Sequence, residues 1–140
     1  MLMANRLVCL TSMARPHATT LAVVDDDDDV RTALNRLLQA MGYRVIGFAS
    51  AEAFEARSVE VDCAIIDMRL PGMSGLELCE RLRRCAPPTP TVLVTGDAHR
   101  LAADLHAATT SPFLNKPFDD VALSNAIVEA MASVAPPRVD

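Results

Sequence analysis

The chain reads as an α/β protein: a doubly wound, three-layer arrangement of five parallel strands with helices on both faces. Three observations predict it. Apolar blocks and helical patterns alternate five times along the chain. Two of the blocks, Leu21-Ala22-Val23-Val24 and Ala64-Ile65-Ile66, run straight into aspartates, and a third, Phe113-Leu114-Asn115, runs into Lys116-Pro117. Parallel strands finish on one edge of their sheet, so Asp25, Asp26, Asp67 and Lys116 are expected to meet there.

Each element has its own signal. The first strand is expected at about Thr20–Val24, followed by a helix that carries Val30, Leu34, Leu37, Leu38 and Met41 at helical spacing and stops at Gly42. Tyr43–Phe48 reads as the second strand. Ser50 can cap a short helix to about Arg57 with Ala53 and Phe54 turned inward. Val61–Asp67 is the third strand. Ser74-Gly75-Leu76-Glu77 is a capping box that opens a helix bearing Leu76, Leu78, Cys79 and Leu82. Pro87, Pro88 and Pro90 end it and lead into a fourth strand at Thr91–Thr95. A fourth helix is expected at about Ala98–Ala108 with Leu101, Leu105 and Ala108 buried, then a short fifth strand at Phe113–Asn115. Asp119 can cap the last helix, with Phe118 and Leu123 as a hydrophobic staple, and the helix passes Ile127, Val128 and Met131 to about Val134 before Pro136-Pro137.

With 140 residues the chain suits one domain at 20–134, large enough to bury roughly 68–70% of its unfolded surface. Residues 1–19 are expected to be a frayed extension, with Met13 as an alternative start, and 135–140 a tail. Net charge is −5 and the pI is about 5.1, so the basic footprint of a nucleic-acid binder is missing. No segment reaches the roughly 18 apolar residues of a membrane span, and Leu7-Val8-Cys9-Leu10 is too short for a secretory core. Cys9, Cys63, Cys79 and Cys85 form no C-x-x-C and are expected to be reduced apolar fillers in a cytoplasmic protein. His17, His99 and His106 are scattered, as solvated surface residues would be.

The chemistry concentrates at the strand ends. Five consecutive aspartates, Asp25–Asp29, would ordinarily be a solvated run, but this one begins where a buried strand stops. Asp25 and Asp26 therefore belong to the sheet edge, and Asp28 and Asp29 to the start of the helix, whose dipole favours them. Acids so crowded repel one another unless a cation sits among them. Oxygen donors of this kind suit Mg²⁺, with Mn²⁺ as a surrogate. Asp67 is the candidate nucleophile, since a carboxylate can attack phosphorus to form an acyl phosphate. Attack on an anionic phosphoryl group requires positive charge nearby, which the metal and the Lys116 ammonium would supply. Thr95, at the end of the fourth strand beside the uncrowded Gly96, could donate a hydroxyl to a phosphoryl oxygen.

With these pieces in order, the chain resembles the receiver domain of two-component response regulators. The matching segments are Val23-Val24-Asp25-Asp26, Ile65-Ile66-Asp67-Met68-Arg69-Leu70-Pro71-Gly72-Met73-Ser74-Gly75, Val94-Thr95-Gly96 and Lys116-Pro117-Phe118. They span about Thr20 to Val134, and the wording from Arg69 to Gly75 is closest to receivers of the FixJ type, whose LuxR-like output domain is not expected here. The resemblance implies a flavodoxin-like (βα)5 fold with strand order 2-1-3-4-5. It implies that Asp67 accepts phosphate from a histidine kinase or phosphotransfer protein, that Asp26 and Asp67 bind Mg²⁺ directly with the backbone carbonyl of Arg69, and that Asp25 acts mostly through water. It also implies that Thr95 and Lys116 hold the phosphoryl group, that the Lys116–Pro117 bond is cis, and that Thr95 and Phe113 form a switch which remodels the fourth-helix, fifth-strand and fifth-helix surface. The implied function is a stand-alone receiver that is no enzyme beyond its own phosphorylation and dephosphorylation. It would signal to a downstream protein target, with a phosphorylation-dependent homodimer as an option and neither nucleic acid nor membrane as partner.

Three departures from that pattern stand out. The span from Asp26 to Asp67 is short, which predicts a stunted second helix. The usual Ala-Gly-Ala before the fifth strand is replaced by Ala108-Thr109-Thr110-Ser111-Pro112, and Phe113 brings no hydroxyl to the switch position. Arg69 and Asp97 are expected to pair over the site and slow water attack. The competing reading is a phosphorylation-independent scaffold or phosphate sink on the same fold. An aspartate-nucleophile phosphatase is disfavoured, because its acid-base aspartate would stand where Arg69 does.

Overall fold

The computed structural model describes residues 19–96 and 109–133. The strands are β1 (Thr20–Val24), β2 (Arg44–Phe48), β3 (Cys63–Asp67), β4 (Thr91–Thr95) and β5 (Phe113–Asn115); the helices among the described residues are α1 (Asp28–Ala40), α2 (Ala51–Glu55), α3 (Gly75–Arg83) and α4 (Asp120–Ser133). All strand pairs are parallel and the order is β2-β1-β3-β4-β5. The expected helix at 98–108 lies outside the described residues, as do the N-terminal extension up to residue 18, the C-terminal tail, Cys9, His17, Asp97, His99 and His106.

Strand composition explains the layering. The central strands are apolar on both faces, as parallel strands covered by helices must be. Leu21, Val23, Cys63, Ile65, Val92 and Val94 face one way and pack on Leu34 and Leu38 of α1 and Leu123, Ala126 and Ile127 of α4. Ala22, Val24, Ala64, Ile66 and Leu93 face the other way, onto Phe54 of α2 and Leu78, Cys79 and Leu82 of α3. A chain built in this way places every strand's carboxyl end on one edge.

Side chains satisfy the helix starts. Asp27 caps α1, its Oδ1 accepting from the N–H groups of Asp29 at 2.9 Å and Val30 at 3.1 Å. Ser50 accepts from Ala53 N–H, Ser74 from Glu77 N–H, and Asp119 from Ala122 N–H. Each removes an otherwise orphaned donor.

Several expectations are corrected. Helix α2 is stunted, as the short span predicted, but Ala51 and Phe54 are its buried residues and Ala53 is exposed. A helix beginning at Ala51 turns residues three apart to the same side, which leaves Ala53 outward. Strand β3 begins at Cys63 and not Val61, because Asp62 is used at the sheet's lower edge, where its carboxylate accepts from Thr20 N–H at 2.8 Å. Strand β2 begins one residue late, at Arg44. Cys85 is exposed, so it fills no core.

One glycine fixes how α3 approaches the end of β3. A Cβ on Gly75 would lie 2.1 Å from the carbonyl oxygen of Asp67, and Gly75 N–H donates to Met68 O at 3.1 Å. Gly75→Ala should therefore push the helix off the strand end and destabilise the fold by about 1–3 kcal/mol, read as a lower denaturant midpoint. An unchanged midpoint would show that the helix start yields freely.

Burial raises the Cys63 and Cys79 thiols to about 12, which leaves almost no thiolate at neutral pH. Iodoacetamide on the native protein, followed by peptide mass mapping, should label Cys85 and spare both buried thiols until denaturant is added. Labelling of Cys63 at the rate of Cys85 would contradict the packing.

Candidate functional site

The register of the sheet decides which residues meet. Val24 pairs with Ile66 across β1 and β3, so the residues that follow, Asp25 and Asp67, emerge side by side. Asp67 pairs in turn with Val94 on β4, and Thr95 with Asn115 on β5. Lys116 follows Asn115 immediately, and its N–H donates to Thr95 O at 2.8 Å. The edge thus gathers Asp25, Asp26, Asp67, Thr95 and Lys116 from four separate stretches of sequence.

One carboxylate oxygen from each of Asp25, Asp26 and Asp67 lies within 4.8 Å of the others. Lys116 Nζ stands 3.7 Å from Asp25 Oδ2 and 3.7 Å from Asp67 Oδ1. Those separations exceed hydrogen-bond length, so the ammonium acts on both acids as a charge rather than as a committed donor. Asp25 is 2% exposed and Asp67 9%, while Asp26 faces solvent. The Asp67 carboxyl is held above the usual carboxylate range, first by desolvation and then by the Asp25 charge; Lys116 and the Arg69 N–H, 3.4 Å from Oδ1, pull the other way. A cation bound among these acids would stabilise the charged form further.

The donor set fits Mg²⁺. It offers hard carboxylate oxygens and no sulfur or imidazole, few enough that the ion would keep several waters. Asp26 and Asp67 with the Arg69 carbonyl are the candidates to hold it, and Asp25 stands behind them.

Loop contacts hold these groups in place. Asp25 Oδ1 accepts from Asp27 N–H at 2.9 Å and Asp25 N–H donates to Phe48 O at 3.1 Å. Past Asp67, Met68 N–H donates to Val94 O at 2.8 Å. The loop between β3 and α3 is tied to α2 by Glu52, whose carboxylate accepts from Met73 N–H at 3.0 Å and is lowered mainly by that bond. Gly72 has φ +76°, and a Cβ there would fall 2.8 Å from Glu52 Oε2, so the turn needs a residue without one.

Thr95 is buried at the end of β4. Phe113 lies at the start of β5, in register with Leu93, and is half-buried against the cluster of Phe54 and Leu78. The Lys116–Pro117 peptide is cis, as is Ala86–Pro87. No local signal points to Glu52, which lies 21 positions from its partner, or to Asp27 as the cap in place of its neighbours. The pairing expected of Arg69 and Asp97 lies outside the described residues.

Comparison with known proteins agrees with this geometry. Residues 21–128 match the family described as the response regulator receiver domain. The transcriptional regulatory protein FixJ of Azorhizobium caulinodans is 37% identical over 115 residues, covering 80% of this chain and 54% of that protein. The response regulator protein TmoT of Ectopseudomonas mendocina is 33% identical, covering 81% of this chain and 53% of its own length. The chain thus spans about half the length of these curated relatives. Among solved structures, the response regulator TrrA of Thermotoga maritima, in complex with Mg²⁺ and BeF, superposes with a TM-score of 0.71 at 27% identity, covering 80% of this chain and 98% of that one. The response regulator StyR gives a TM-score of 0.66 at 35% identity, covering 84% and 61%. Five parallel strands in this order, with the acids and the lysine at their carboxyl ends, make the chain a member of the response regulator receiver domain family.

Proposed function

We propose that this receiver accepts a phosphoryl group on Asp67 from a phosphohistidine of a kinase or phosphotransfer protein and signals through the resulting change in its own surface. The observation that carries this reading is the Lys116 ammonium placed 3.7 Å from both Asp25 and Asp67 beside a third carboxylate. A structural ion pair would need one acid, and this arrangement crowds three.

In the proposed reaction an Asp67 carboxylate oxygen attacks phosphorus. The bond from phosphorus to the donor nitrogen breaks, its electron pair stays with the imidazole, and an acyl phosphate remains on Asp67. Lys116 would pair with a phosphoryl oxygen, releasing Asp25 and Asp67 from sharing it. Thr95 is the hydroxyl donor on the neighbouring strand end. Mg²⁺ when bound, or Mn²⁺ in its place, supplies positive charge against the acids and the phosphoryl oxygens. Desolvation of Asp67 assists, since a carboxylate stripped of water is more ready to attack a group held against it. Thr95 and Phe113 would carry the response to the new charge toward β5, by biasing one of two packings. The receiver would do no chemistry on other substrates.

Incubation with acetyl phosphate and Mg²⁺ should add one phosphoryl group to the intact mass, and the gain should vanish in Asp67→Asn or with chelator. No gain from acetyl phosphate or from any phosphorylated kinase, with the fold also unmoved by beryllofluoride, would overturn the reading in favour of the scaffold. Mg²⁺ should also stabilise the folded protein. At 100 times its dissociation constant the gain is about 2.7 kcal/mol, seen as a higher melting temperature that Asp26→Asn abolishes. An equal rise in that variant would remove Asp26 from the metal site.

A further inference from the structure

One cation near the site has no part in the chemistry above. Arg31, on the first turns of α1, lies under the turn that carries the acids. Its Nη1 donates to the backbone carbonyl of Asp25 at 2.7 Å, and its Nη2 pairs with Asp28. We propose that Arg31 is a positioning residue that sets the spacing of Asp25 and Asp26 for a divalent cation, and that Gly47 on β2 is what admits it. The inference rests on the metal reading given above.

The glycine is the independent observation. Gly47 is in register with Val23 in the interior of a β-strand pair, a position where glycine weakens a strand and marks a close approach. The approach here is the arginine stem: a Cβ on Gly47 would lie 3.0 Å from Cδ and 3.2 Å from Cγ of Arg31, and 3.1 Å from Asn35 Nδ2. The stem crosses β2 through the space a side chain would fill. That route brings the guanidinium to the Asp25 carbonyl.

The two ends of the fork do not count equally. Asp28 keeps 83% of its side-chain surface and Arg31 20%, so the ion pair between them is screened and worth little. The bond to the Asp25 carbonyl is partly buried and charge-assisted, which makes it the stronger anchor. It holds the backbone between β1 and α1, and that backbone carries both Asp25 and Asp26. A lysine could place a charge there, but it lacks the planar fork that meets Asp25 and Asp28 together.

Charge and position act in opposite directions. By charge alone, Arg31 repels a divalent ion, and removing it would tighten binding. By position, it aligns the donors, and removing it would loosen binding. The experiment is Mn²⁺ titration of the intact protein, with free ion followed by electron paramagnetic resonance, for wild type, Arg31→Gln, Arg31→Lys and Gly47→Ala. All three variants should bind Mn²⁺ about tenfold more weakly, the scale seen when groups supporting metal ligands are lost. Gly47→Ala changes no charge, so it keeps the test open if an Arg31 variant fails to fold. The double variant Arg31→Gln, Gly47→Ala should be no weaker than either single one, because both remove the same support. The rate of phosphorylation by acetyl phosphate should return to the wild-type value at saturating Mg²⁺. Wild-type binding by Arg31→Lys and Gly47→Ala, or tighter binding by Arg31→Gln, would overturn the positioning role and leave the metal reading standing. No Mn²⁺ binding by the wild type would sink the metal reading and this inference together.

Discussion

The site depends on one constraint, the parallel register of β1 against β3. Because Val24 lies opposite Ile66, the next residue on each strand is an aspartate, and the two acids are forced together at a mostly buried edge. A slip of one residue would send each side chain to the other face and break both hydrophobic layers. The apolar packing that stabilises the sheet is therefore the same packing that holds Asp25 and Asp67 in mutual repulsion. The acids cannot relax apart without exposing Val23, Ile65 and their partners.

That conflict explains the rest of the edge. Burial and like charge raise the Asp67 carboxyl, and the neighbouring Lys116 offsets only part of the effect. The lysine is shared between two acids at a distance too long for a hydrogen bond to either, which leaves its ammonium free to be drawn toward a new anion. A phosphoryl group on Asp67 would be such an anion. The same electrostatic deficit that makes the resting site costly is what makes the cluster receptive to a divalent cation.

Much of this was legible in the sequence, and the reason is local. Apolar runs ending in Asp25, Asp67 and Lys116 announce strand ends, and parallel strands bring their ends together without further information. The capping serines and Asp119 are legible for the same reason, since a cap and its helix lie within a few residues. What escaped is what depends on distance through space. Glu52 reaches the loop at Met73 from a different helix, and nothing in the spacing of either segment points to the other. Nothing in the spacing of Arg31 and Gly47 points to the passage of the arginine stem beside that glycine. The pattern suggests Ala53 as an inward residue where Ala51 is the buried one, because a five-residue helix is too short for its apolar pattern to fix its phase.

The support of the acid turn follows the same division. Three side chains hydrogen-bond to the backbone of the stretch from Asp25 to Asp29: the Asp25 carboxylate on the Asp27 N–H, the Asp27 carboxylate at the helix start, and the Arg31 guanidinium on the Asp25 carbonyl. The first two are aspartate side chains already negative and already local, so they order the turn while adding to its charge. Arg31 orders it with the opposite sign. Its stem passes Gly47 on the adjoining strand, where a Cβ would crowd it at 3.0 Å. An acidic turn is kept in one geometry by more acid only at rising electrostatic cost, and a cation holds it without that cost. Arg31 does so at the backbone carbonyl of Asp25, with its stem beside Gly47, whereas Lys116 stands by the carboxylates of Asp25 and Asp67, so one cation serves the backbone while the other remains available to the chemistry.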